Sequence, residues 1–365
     1  MLTIDRRLIQ HFDWMLFGLV ALLLAMGIVN LHSASSVSVG VSDEVRRQLM
    51  SLALGALLGA LAVVVDYRHL DRLAYPIFFF SLLLLAVTLL IAPVTRGSQS
   101  WLFGGRVQPA EFAKIGLVLA LARYFQRNPP GEIRRLRDLF QPACIVAAPV
   151  ALIVLQRDMG VALLTLLIGS TFLAVVRIPL RAWLKVGALA VVAVGLMWTF
   201  ALAPYQKDRI LTVVDPGRDP LASGYQAAQS RIAIGSGGLL GAGYMEGTQT
   251  QLRFLPTQHT DFAFSVVAEE WGFVGSTWVL LCYVALLFWG LRVARNSKDD
   301  FGALLAIGAV GCLFWPAALN VGMVLGLAPV IGVPLPFFSY GGSVLVVSLM
   351  LMGLLLNISM RRYVF

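Results

Sequence analysis

Charge is what this 365-residue sequence has least of. Asp, Glu, Lys and Arg together make up 13% of it, against roughly 25% in soluble globular domains. So thin a polar complement excludes a string of soluble domains. Cysteine is scarce too. Cys144, Cys282 and Cys312 are odd in number, lie in apolar segments and show no C-x-x-C spacing, so neither a disulfide framework nor a cysteine-held metal is expected. The four histidines are scattered, without the spacing of a zinc site. No internal repeat relates the two halves. The net charge of +9 does not call for a nucleic-acid partner, because Lys and Arg beside apolar runs are what orient a membrane protein.

Apolar residues are what the sequence has in abundance, at 59%. A membrane-crossing helix needs about 20 of them in a row. Ten candidate spans are expected: 14–31, 48–65, 74–93, 109–125, 142–155, 160–176, 184–203, 264–291, 302–326 and 341–360. The first is longer than the core of a signal peptide, about 7–15 residues, and reads as an uncleaved span, although the HSAS that follows would suit a cleavage site. The expected fold is all-α: a polytopic membrane helix bundle forming a single integral membrane domain over residues 1–365. Ten spans put both termini on one side. With that side cytoplasmic, the inner segments carry seventeen Lys and Arg and the short outer loops five. The bias predicts cytoplasmic termini and an extracytoplasmic loop at 204–262, between the seventh and eighth spans. At that length the loop is too long for a passive connector, and such loops are usually functional or disordered.

Ionisable residues in a span are functional candidates by default. Glu111 and Lys114 in QPAEFAK are three apart on the fourth span, so they share a face. They form either a structural ion pair or the charged floor of an outward cavity. Asp158 in LQRDMG reads as an N-cap of the sixth span or as a site residue. Asp261 in QHTDF precedes the eighth span and also suits an N-cap. Yet it sits with His259, Thr260 and Glu269 at the polar edge of the bilayer. Partial desolvation there makes a carboxylate a better proton acceptor. Glu269 and Glu270 lie about two turns deeper, against protein or trapped water, as polar packing or as support. The stretch GLAPVIGVPLPFFSYGGS, 326–343, has three prolines and no charge, which argues against continuous helix. It is either a packed re-entrant turn or the wall of a head-group cavity, with amides around Ser339 to Ser343 open to an anion. Gly235–Gly243 gives a weak phosphate-nest signal.

The segments SQSWLFGGRVQPAEFAK, RDMG, GYQAAQSRIAIGSGGLLGAG, GTQTQL, FLPTQHTDFAFSVVAEEWGFVG and PFFSYGGS, in that order, resemble the SEDS family (shape, elongation, division and sporulation). They are most similar to its RodA branch, which GTQTQLRFLP before HTDF favours over the division branch. The resemblance covers nearly the whole chain. It implies a peptidoglycan glycosyltransferase in the bacterial plasma (inner) membrane, polymerising lipid II into nascent glycan beside a class B penicillin-binding protein that crosslinks the product. The family's essential carboxylate falls on Asp261, its paired charges on Glu111 and Lys114, and its aspartate after the fifth span on Asp158. Two departures stand out: Arg157 where a proline is usual, and Thr257 and Gln258 where a Glu-Arg pair is common.

A lipid diphosphate leaving group calls for cations at the outer surface, and arginine suits it through bidentate contacts. Arg106, Arg209, Arg218 and Arg231 are the candidates, while Arg46 and Arg47 read as solvated. A loosely held Mg²⁺ or Mn²⁺ could share the charge, although no dedicated cage is evident. His259, Ser339 and Ser343 complete the expected substrate-binding set. Two other functions fit a helix bundle. A flippase for the lipid-linked precursor would need charge reachable from both faces, whereas most of the functional-looking charge here clusters outward. A cell-wall scaffold would leave the grouping of Glu111, Lys114 and Asp261 without a purpose.

Overall fold

The computed structural model describes residues 10–35, 42–94, 97–129, 136–176, 180–196, 198–199, 202–213, 215 and 223–362. Among these the chain is helical. It holds no β-strand, and an isolated antiparallel bridge from Leu102 to Val107 closes a turn. In chain order the helices are α1 Trp14–Ser35, α2 Asp43–Val64, α3 Tyr67–Ile91, α4 Pro109–Arg127, α5 Phe140–Leu155, α6 Met159–Thr171, α7 Leu180–Leu196, α8 Pro204–Leu211, α9 Ser223–Ser236, α10 Thr248–Gln251, α11 Ala263–Arg295, α12 Asp300–Val324 and α13 Gly342–Arg361.

Seven of these segments are long and apolar enough to cross a membrane: α1, α2, α3, α5 with the turn before it, α11, α12 and α13. The other three expected spans also coincide with helices, but each falls short of that standard. In α4, Glu111, Lys114, Arg123 and Arg127 dilute the apolar run. Helix α6 is a shorter apolar segment, ending in a 3-10 turn at Phe172–Ala174. Helix α7 has 17 residues. Among its described residues, the expected loop at 204–262 contains three helices of its own, α8, α9 and α10.

Side-chain caps set several starts. Ser42 accepts from the Val45 amide, Asp66 from Arg68 and Asp299 from Gly302, while Pro109 opens α4 at a position that needs no N–H. Burial then sorts the helices. In α13 89% of the apolar window is buried and in α12 67%, against 17% in α2. Helices α4, α12 and α13 therefore form the centre, with the others around them. Ser81, Thr88, Thr165 and other buried hydroxyls return their protons to their own helix's carbonyls, which removes the cost of an unmet donor in an apolar setting.

Polar side chains fasten one end of the bundle. Asn357 of α13 donates to the carbonyls of Ala62, Val63 and Val65, closing the last turn of α2. Arg361 adds a bond to the Val64 carbonyl and an ion pair with Asp66. Arg123 pairs with Asp71 at 2.7 Å. Asp13 receives the Trp289 indole and the Ser359 hydroxyl. The opposite end is open and holds the cavity.

Helix α11 is broken. Gly272 has φ 65° and ψ −160°, a combination open in practice to glycine alone. The turn Gly237–Gly243 crosses at the break and uses the backbone groups it frees. The amides of Ala242 and Gly243 donate to the carbonyls of Glu269 and Glu270, and those of Phe273 and Val274 to Gly238 and Leu239. A Cβ on Gly272 would lie 2.3 Å from the Gly241 nitrogen, so this crossing tolerates no side chain.

Candidate active site

A cavity of about 1420 Å³ opens between α2, α4, α6, α8, the 257–261 turn and the 329–344 segment. It exceeds the roughly 300–1,000 Å³ of small-ligand pockets. Its lining collects Glu111, Lys114, Asp158, Arg106, Arg209, His259, Asp261 and Ser343, which the sequence had scattered over more than 230 residues. Arg46, Arg47 and Arg157 join them, so the first two are cavity residues and not merely solvated ones. The lining carries six Lys or Arg against four Asp or Glu. That balance favours an anionic ligand, and the five arginines are all exposed.

Asp261 is half-buried on a tight turn, with its amide and that of Thr260 both donating to the Thr257 carbonyl. It is not the cap of α11. Phe262 holds that position, with no side-chain cap bond. The carboxylate faces Gly332, where a Cβ would lie 3.4 Å from Oδ2. From α12, the Asn320 carboxamide donates to the Asp261 carbonyl at 2.7 Å and to the Val333 carbonyl at 2.6 Å. Next to Asp261, the His259 carbonyl accepts the Tyr340 amide at 2.9 Å, and their rings meet at 5.8 Å. The HTDF turn and the PFFSYGGS segment are thus one wall.

Glu111 and Lys114 are both buried, with Nζ 2.7 Å from each carboxylate oxygen. They touch the cavity and also bind each other, so the two expectations for this pair coexist. Asp158 caps α6 through the Val161 amide and accepts from Gln108 Nε2 at 3.2 Å. The Gln108 amide in turn donates to Ser343 Oγ, and that hydroxyl donates to the Arg106 carbonyl. Arg157 has φ 62°, a value closed to proline, so this turn is shaped for the residue present.

Other expectations change. Arg231 points away from the cavity and lines a small separate recess beside Gly326. Arg218 lies outside the described residues. Ser339 is buried, its hydroxyl accepting the Leu335 amide. The amides of Ser339, Tyr340 and Gly341 are spent on Leu335, His259 and Gln48, so of the run expected to offer amides to an anion only Gly342 and Ser343, on the cavity lining where α13 starts, are left as candidates. In the glycine-rich stretch, the amides of Ala242 and Gly243 are committed at the break in α11 and that of Gly241 within its own turn.

Glu269 and Glu270 are buried away from the cavity lining. Glu269 receives the amides of Gln249 and Thr250 and the Thr250 hydroxyl, which places its charge at the start of α10. Glu270 accepts from Ser33 of α1. Burial, with the Glu270 carboxylate nearby, raises the Tyr244 phenol above its ordinary pKa. Tyr244 shares a 2.9 Å bond with His32. Gln258, at one of the two departures, donates to the carbonyls of Ala34 and Thr250. These side chains brace the turn that carries Asp261.

Asn320, Gln48 and Gln108 are not singled out by the sequence. A lone amide inside or beside an apolar run was the available signal. Among the described residues no group of three or more His, Cys, Asp or Glu could cage a metal.

Known proteins resemble the chain over its whole length. The model of the FtsW, RodA and SpoVE cell cycle proteins matches residues 13–364. The peptidoglycan glycosyltransferase MrdB of Escherichia coli K12 is 36% identical over 360 residues, covering 96% of this chain and 94% of its own. Stage V sporulation protein E of Bacillus subtilis is 35% identical over 362 residues, covering 95% and 96%. Among solved structures, a chain from a peptidoglycan synthase complex that coordinates polymerization and crosslinking matches with a TM-score of 0.83 and 37% identity, over 97% of this chain and 99% of that one. The rod shape determining protein RodA of Thermus thermophilus matches at 0.71 and 35%, over 96% and 98%.

Proposed function

Since the chain belongs to the FtsW, RodA and SpoVE family of cell cycle proteins, we infer that it is a RodA-type peptidoglycan glycosyltransferase serving cell elongation and rod shape. Its substrate in this reading is lipid II, polymerised at the outer face of the plasma membrane by a bundle of ten spans with both termini in the cytoplasm. The observation that carries the reading is the cavity, where one half-buried carboxylate, Asp261, faces a lining with an excess of cationic groups.

The chemistry needs both features. The acceptor hydroxyl of lipid II attacks the anomeric carbon of the donor glycan. Asp261 takes the hydroxyl proton as the new C–O bond forms, and the bond to the lipid diphosphate breaks on the opposite face, inverting the centre. The departing diphosphate gathers negative charge, which Arg106, Arg157 and Arg209 on the lining are suited to meet. The buried Glu111–Lys114 pair and Asp158, through Gln108, shape the floor below. The described residues do not fit a caged Mg²⁺ or Mn²⁺. A divalent cation enters this reading only as an ion carried by the diphosphate itself, and no step is derived through it.

The partner in this reading is a class B penicillin-binding protein, since a polymerase alone leaves strands uncrosslinked. The likeness to a chain of a peptidoglycan synthase complex supports such a partner. The test is the purified protein in nanodiscs with lipid II, with and without that partner. Glycan strands resolved by gel are expected, in greater yield with the partner. Transbilayer movement of lipid II without any polymer would overturn the assignment.

A further inference from the structure

Asp261 is tethered through its main chain on two sides. Its amide bonds the Thr257 carbonyl within its own turn. Its carbonyl is held from outside that turn by Asn320, a fully buried residue in the last turns of α12. The same Nδ2 reaches the Val333 carbonyl, at 2.6 Å. Two carbonyl oxygens at this range demand donors, so the nitrogen and not the oxygen of the carboxamide faces them. Val333 follows Gly332, the residue that the Asp261 carboxylate faces. One side chain therefore joins the turn bearing the carboxylate to the wall opposite it, and both are pinned to one of the most buried helices of the bundle.

We propose that Asn320 is a positioning residue for glycosyl transfer, fixing the reach of the Asp261 carboxylate into the cavity through the paired carbonyls of Asp261 and Val333. This rests on the reading of Asp261 as the base. A carboxamide suits the task because one nitrogen carries two N–H donors. Leucine, with the same branched skeleton but larger, offers none, and an ionised carboxylate in its place would repel both carbonyls. Asn320 is the side chain that holds both carbonyls, so loss of the donor leaves the turn and the wall free to part. A displacement of about 1 Å at a reacting group can cost about 100-fold in rate.

The test compares Asn320→Leu and the near-isosteric Asn320→Asp with wild type, as the full chain in nanodiscs with lipid II. Both variants are expected to lower the saturated polymerisation rate by about 10- to 100-fold, with the Kd for fluorescent lipid II within about threefold and partner binding unchanged. If Asn320→Leu does not fold, Asn320→Asp carries the comparison. A rate within about threefold of wild type, or a rate loss matched by an equal loss of lipid II binding and a lowered Tm, overturns the proposal. Asp261→Asn in the same assay separates the two ideas. If it is inactive while the Asn320 variants work, positioning alone fails. If it keeps the wild-type rate, the base assignment fails and positioning with it.

Discussion

Asp261 can be separated from any capping role by a single atom's change. Asp261→Asn keeps size and shape, and α11 starts at Phe262 without a side-chain cap. Expression and partner binding should therefore be normal, while glycan synthesis falls by about 10²–10⁴, the usual cost of losing a general base; gel-resolved product from lipid II measures it. The Glu111–Lys114 pair behaves differently because both groups are buried. Glu111→Gln strands a buried ammonium, and an unpaired buried charge costs about 3–5 kcal/mol. A large fall in Tm is expected, largely restored when Lys114→Met removes the second charge. Unchanged Tm and polymerisation in Glu111→Gln would remove this pair from both fold and function. Its pairing was legible in the sequence because a spacing of three fixes the geometry within one helix. Asn320 was not, because its partners, Asp261 and Val333, lie 59 and 13 residues away and nothing local marks them.

Helices were legible as elements wherever an apolar run reached membrane length, and their interruptions were not. The break in α11 has its cause about 30 residues upstream, in the turn Gly237–Gly243 that takes up the freed backbone groups. Periodicity within EEWGFVG cannot report a partner outside it. The glycine-rich turn shows the same limit: its amides gave a weak anion signal, and two of them, Ala242 and Gly243, go to the backbone carbonyls of Glu269 and Glu270. Gly272→Ala is predicted to be severely destabilising. Its backbone conformation alone costs a non-glycine residue about 1–3 kcal/mol, before the clash with the Gly241 nitrogen at 2.3 Å. A thermal melt of the purified variant checks this, with loss of folded protein on expression as the stronger outcome. Glu269 holds α10 in place through two amides and a hydroxyl. Glu269→Ala should leave the bundle folded but raise hydrogen exchange over 247–252 well above wild type. Unchanged exchange there would mean that the short helix stands without its carboxylate.

The whole molecule has two unlike ends, and this asymmetry bears on its orientation. At one end Arg123, Arg361, Asp66, Asp71 and Asp299 join the starts and stops of α2, α3, α4, α12 and α13 in ion pairs and caps. At the other end lie the cavity and the braced turn of Asp261. The charge bias read from the sequence puts the tied end in the cytoplasm, where Lys and Arg are retained. That leaves the cavity facing the side where lipid-linked precursors are consumed. An orientation can be argued from the sequence because it depends on counts of charged residues in short loops. The cavity was not legible, because it forms from side chains on many separate segments between Asp43 and Val344. Cysteine labelling tests the orientation. Cys144 is the exposed native thiol, while Cys282 and Cys312 are buried, so a Cys144→Ser background is suitable. In it, Leu252→Cys, on an exposed position of the long loop, should react with a membrane-impermeant maleimide on intact spheroplasts. Lys298→Cys, on the exposed link between α11 and α12, should react only after the membrane is opened. The reverse pattern would turn the cavity toward the cytoplasm, away from the diphosphate leaving group and acceptor sugar of the proposed reaction.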